Sequence, residues 1–129
     1  MPVLSVDPFE RVQSDALDPQ GVDSAHVQNT AAHGVDSVCL PLAAFSQDAA
    51  PVVPATVGVL VVDGRHHYPV VSNDLKLYVP KLMSKGLVFI DDFGPAYPDV
   101  VRAVDEYFAA SRSFRILHKS CFVIAQRLR

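Results

Sequence analysis

Residues 57 to 94 read VGVLVVDGRHHYPVVSNDLKLYVPKLMSKGLVFIDDFG. The pattern is strand, helix, strand. Val59-Leu60-Val61-Val62 runs apolar as far as Asp63, and Leu87-Val88-Phe89-Ile90 runs apolar as far as Asp91 and Asp92. Apolar runs without alternation predict strands buried on both faces, as in parallel sheets. Between them, Val71, Leu75, Tyr78, Val79 and Leu82 fall on one helical face. Pro80 cannot sit in an unbroken helix interior, so a first helix is expected to end near Tyr78, with a short turn from Pro80 to Ser84. A right-handed crossover brings both strand ends to one edge of the sheet. Neighbouring strands lie about 4.8 Å apart. Asp63 should therefore converge with Asp91 and Asp92 at the carboxyl edge, where open α/β sheets place their ligands.

Outside this unit, Val3 to Val6 predicts a strand closed by Asp7-Pro8, because Pro8 cannot extend a central strand. The strand starts almost at Met1, with no room for an element ahead of it. Residues 10 to 24 read as a polar loop. Ser24 opens a helix to about His33, with Gly34 as its stop. Asp36 to Leu42 predicts a strand and Ala43 to Ala50 a short helix. Pro51 and Pro54 form a stiff connection into the central unit. After Gly94-Pro95, a helix from Pro98 buries Val100, Val101, Val104, Tyr107 and Phe108, with Asp99 at its positive end. Phe114 to His118 and Cys121 to Gln126 predict an antiparallel hairpin. The whole alternation implies an α/β fold: a mostly parallel sheet with helices on both faces and a C-terminal antiparallel hairpin.

The chain has 129 residues, half of them apolar, enough for a single domain over residues 1 to 129 with a real core. A net charge of −3 argues against a nucleic-acid surface. The basic residues gathered near the tail, Arg112, Arg115, Lys119, Arg127 and Arg129, read as solvated surface. Cys39 and Cys121 lie inside apolar runs and read as buried free thiols, with no zinc or disulfide spacing. No leader segment or membrane span is evident, so a cytoplasmic, reduced setting is expected.

Asp63, His66, Asp91 and Asp92 are the candidate chemistry. Three carboxylates on one rim repel each other unless a cation or protons balance them. Such oxygen ligands suit Mg²⁺ or another hard divalent ion. His66, three residues past Asp63, can take a proton from a hydroxyl near neutral pH. Acids at strand ends also serve as helix caps, and that plainer reading stands beside the first. Asp7 ends a strand, where α/β folds often bind ribose hydroxyls, although Asp-Pro is also a turn signal. No P-loop, G-x-S-x-G elbow or Cys-x-x-Cys is present.

With these residues placed, the chain resembles S-adenosylmethionine-dependent methyltransferases of the Rossmann-like class. It is most similar to the small-molecule O-methyltransferases whose fourth strand reads like FIDGDHSYE and whose fifth ends in two acids. The counterparts are Val61-Val62-Asp63-Gly64-Arg65-His66-His67-Tyr68 and Phe89-Ile90-Asp91-Asp92. Asp74, Tyr78-Val79-Pro80-Lys81-Leu82 and Arg102-Ala103-Val104-Asp105-Glu106 also resemble that group. The resemblance implies S-adenosyl-L-methionine as cofactor, with Asp7 as the ribose contact and Asp63 near it. It implies a metal such as Mg²⁺ on Asp63, Asp91 and Asp92 in members that use one, and His66 as general base toward a small-molecule hydroxyl. The charge and the lack of a long apolar run, rather than the resemblance, argue against a nucleic-acid or membrane partner. The chain departs from the family by starting at what would be the second strand, with no glycine-rich turn before Asp7. The first strand would lie between those ending at Asp7 and Asp63. Two readings follow: methyl transfer to a small-molecule hydroxyl, or a truncated, non-catalytic relative whose sheet is completed by a second copy or a partner chain.

Overall fold

The computed structural model describes residues 2–9, 22 and 24–129. Apart from Val22 and Ser24, the loop read at residues 10 to 24 lies outside them. The chain divides into two compact units, Met1–Val53 and Pro54–Arg129.

In the first unit, β1 (Val3–Asp7) pairs in parallel with β2 (Cys39–Ala43), and α1 (Ser24–Ala32) joins them. Gly34 takes φ +64 just past α1, the left-handed stop that glycine supplies at least cost. β2 starts later than the sequence suggested, because Asp36 and Ser37 lie in a turn and the Cys39 amide donates to the Val35 carbonyl. A short helix, α2 (Ser46–Ala49), follows.

The second unit is a four-stranded sheet in the order β3-β4-β6-β5. β3 (Val57–Val62) and β4 (Leu82–Ile90) run parallel, joined by α3 (Tyr68–Tyr78). α4 (Pro98–Ala109) leads to β5 (Phe114–Lys119) and β6 (Val123–Arg127). β6 pairs antiparallel with both β4 and β5. Pro69 fits the first turn of α3, where no amide partner is lost. Past Tyr78 the chain tightens into a 3-10 turn, Val79–Lys81, around Pro80. The whole predicted stripe is buried: Val71, Leu75, Tyr78, Val79 and Leu82 are each at most 8% exposed. It packs with Val100, Ala103 and Val104 of α4 on Val88, Ile90, Val123 and Ala125 of the sheet.

β4 fits the expectation of a buried strand better than β3 does. Leu60 and Val62 pack on the core, whereas Val59 and Val61 are 53% and 61% exposed. β3 is an edge strand, and its alternate residues point away from the core that α3 and α4 share with the sheet. Cys121 is exposed rather than buried, because the Ser120 amide donates to the Phe122 carbonyl and turns the chain there. Cys39 is partly buried. Among the described residues, no helix is long and apolar enough to cross a membrane.

Candidate active site

The parallel ladder delivers the acids. Val62 pairs with Ile90, and the Asp91 amide donates to the Val62 carbonyl at 3.1 Å, so pairing continues into the acidic segment. Asp92 then takes φ +55, a left-handed backbone that aspartate tolerates better than most residues. The Phe93 amide, bonded to the Cys121 carbonyl at 2.9 Å, fixes the chain beyond it. Asp92 Oδ2 lies 2.6 Å from His66 Nε2. The His66 ring leans on Tyr97, with centroids 4.3 Å apart and planes inclined at 37°. Tyr97 immediately precedes α4. The imidazole is thus held by a carboxylate at its edge and a ring against its face.

Asp63, His66 and Asp92 each offer one ligand atom, and these atoms lie within 4.8 Å of one another. Asp91 is outside that trio, but its charge still acts on Asp63. Partial burial first, and then the negative charges of Asp91 and Asp92, push the Asp63 carboxyl above its ordinary range, while His66 pulls it back. Two carboxylates at this separation repel by about 1 kcal/mol in bulk water, and salt reduces this further. The rim therefore tolerates its charge, yet a cation would be welcome there. Two carboxylates and an imidazole fit a divalent ion: the oxygens suit Mg²⁺, and the nitrogen extends the range toward Mn²⁺ and Zn²⁺.

Behind the trio, Asp63, His66, Asp74 and Asp91 help line a crevice of about 10 Å³, room for one water-sized group. Asp74 is 8% exposed on the inner face of α3. Its signal was an acid three residues after Val71, inside the apolar stripe. Asp99 was expected only to favour the start of its own helix. In the structure its Oδ2 accepts the Tyr68 amide at 3.0 Å and caps α3 from α4. Tyr97 carried no signal beyond its place before Pro98. Asp7 ends β1 and is exposed, and its Oδ1 accepts the Phe9 amide at 2.7 Å, a local turn bond.

Two βα-linked parallel ladders, a C-terminal antiparallel hairpin and an acid-edged rim define the Rossmann-like methyltransferase architecture. The chain belongs to a methyltransferase-domain family, whose sequence pattern matches residues 2–93. The O-methyltransferase NovP is 25% identical and superposes with a TM-score of 0.77 over 99% of this chain and 60% of its own. TomG from Streptomyces achromogenes, an O-methyltransferase of tomaymycin synthesis solved with SAM, is 13% identical with a TM-score of 0.68. It is covered over 62% of its length by 99% of this chain. CalS11, a TDP-rhamnose 3'-O-methyltransferase of calicheamicin biosynthesis, is 15% identical with a TM-score of 0.69, over 97% of this chain and 58% of its own. TomG and CalS11 share the fold. The chain spans about three fifths of the length of these structures. No curated protein matches its sequence.

Proposed function

We propose that this chain carries the acid-lined, acceptor-side part of an S-adenosylmethionine-dependent methyltransferase acting on a hydroxyl of a small molecule. The observation that carries the reading is the gathering of Asp63, His66 and Asp92 within 4.8 Å at the ends of two parallel strands. Family membership and the likeness to NovP support methyl transfer. Bound S-adenosylmethionine would supply an electrophilic methyl group on a sulfonium, and exposed Asp7 is this chain's candidate for its ribose. Asp63 and Asp92, with His66 in reach, would hold a divalent ion that lowers the pKa of the acceptor hydroxyl.

His66 is this chain's base for the proton that an acceptor hydroxyl would lose on methylation. Asp92 orients the imidazole through Nε2 and stabilises the charge it gains, while Tyr97 holds the ring plane. Most of the acceleration in such a reaction comes from positioning. Calorimetry of the chain with S-adenosylhomocysteine, with and without Mg²⁺ or Mn²⁺, tests the reading. Saturable heat that depends on Asp92 is expected; no heat at millimolar ligand removes it.

The second reading, a non-catalytic module whose sheet is completed by another chain, is favoured by the β3 edge. Among the described residues β3 bonds only to β4, and its outward residues Val59 and Val61 are exposed. Sedimentation of the chain alone separates the two: a monomer that binds S-adenosylhomocysteine contradicts the module reading.

A further inference from the structure

Apart from the acidic rim, α3 and α4 leave between them a groove of about 460 Å³, within the size range of small-molecule sites. Ala103, buried at 2% exposure, and the ring of Tyr107 help line it. One end is closed by a fixed network. The Tyr68 hydroxyl donates to Glu106 Oε2, and Arg102 donates to Glu106 Oε1 at 2.9 Å while lying 4.0 Å over the Tyr68 ring. Among the described residues, Glu106 is the only acid lining the groove, and its charge is already engaged.

Two cations remain in the lining. Lys76 stands in the last turn of α3, and Arg112 lies just past α4. Neither makes an ion pair within 4.0 Å among the described residues, although Lys76 feels the charge of Glu106. Ser111 and Ser113, on either side of Arg112, add hydroxyls to the same lining, while the Ser72 hydroxyl is already bonded to Tyr68. Two cations and two hydroxyls match a dianionic phosphate better than a monoanion. The Tyr107 ring gives an apolar body something to lie on.

We propose that the α3/α4 groove is a binding site for a phosphate monoester with an aromatic body, the phosphate between Lys76 and Arg112 and the ring against Tyr107. The site is separate from the Asp63 rim and does not rest on the methyltransferase reading.

Phenyl phosphate, titrated into the isotope-labelled full chain and followed by amide shifts, is the probe. Inorganic phosphate and phenol, titrated separately, test the head and the body alone. Saturable shifts at residues 72–76 and 103–113 are expected, with phenyl phosphate binding about tenfold or more tighter than either fragment. The double substitution Lys76→Gln/Arg112→Gln, at two exposed positions, should weaken binding by about tenfold or more. Tyr107→Leu should weaken phenyl phosphate but leave inorganic phosphate unchanged. No saturable shift, equal binding by the Lys76→Gln/Arg112→Gln chain, or phosphate binding as tightly as its phenyl ester would each overturn the proposal.

Discussion

At the residue scale, the rim is a balance between two carboxylates and an imidazole. Because crowding raises the Asp63 pKa in the folded state, the ionised form is the one that folding disfavours. The penalty is therefore fully present above the folded pKa and vanishes as pH falls below the ordinary value of 3.8. Asp63→Asn should raise the melting temperature at pH 7 by a few degrees, consistent with relief of under about 1 kcal/mol at an exposed site. The gain should fade in thermal melts taken through the carboxylate range, and a gain that grows with acidity contradicts the argument. Asp92 has a second role, since its φ of +55 fixes where its carboxylate points. Asp92→Asn keeps a residue that tolerates this backbone, so it should fold normally yet lose about tenfold or more in Mn²⁺ affinity. Asp92→Val puts a β-branched residue there and should cost about 1–3 kcal/mol in urea unfolding. The acids themselves were legible, since each ends an apolar run. The left-handed turn was not, because aspartate adopts it without a glycine to mark it.

At the element scale, α3 was read almost to the residue. Its stripe has a helical period, and Pro80 forbids continuation, so both its buried face and its end follow from local rules. β4 was read short, from Leu87, because nothing local announces that Leu82 already pairs with Val57 across an irregular step in register. Gly86 lies within β4, ahead of the apolar run from which the strand was read. An added Cβ there would meet the Met83 carbonyl oxygen at 2.9 Å and the Gly58 carbonyl oxygen at 3.0 Å. Both obstacles are backbone, so neither can swing away. Gly86→Ala should therefore destabilise the chain by about 1–3 kcal/mol, the usual scale of overpacking. Gly94→Ala, with nothing within 4 Å of its Cβ, is the control and should be close to neutral in the same denaturant melts.

At the scale of the whole molecule, what separates the strands is how many partners they have. β4 bonds on both edges, and its Val88 and Ile90, with Val123 and Ala125 of β6, are at most 1% exposed. β1 and β2 form a two-stranded parallel sheet in which Val3, Leu4 and Leu40 are exposed. Parallel pairs normally sit inside larger, covered sheets, and two strands alone are marginal in water. The resemblance marked a missing strand between those ending at Asp7 and Asp63, but the split into two sheets was not read, because a strand's own residues do not record who its neighbour is. Local opening free energy should follow partner number and burial. In hydrogen exchange on the intact chain, amides of residues 87 to 90 and 123 to 126 should exchange slowest, and those of residues 3 to 7 and 39 to 43 at least about tenfold faster. Addition of a polypeptide that completes the open β3 edge should slow exchange at residues 57 to 62 first, since their unbonded amides are the ones it would engage. Equal protection across both sheets in the chain alone would mean that β1 and β2 draw stability from contacts beyond their own ladder.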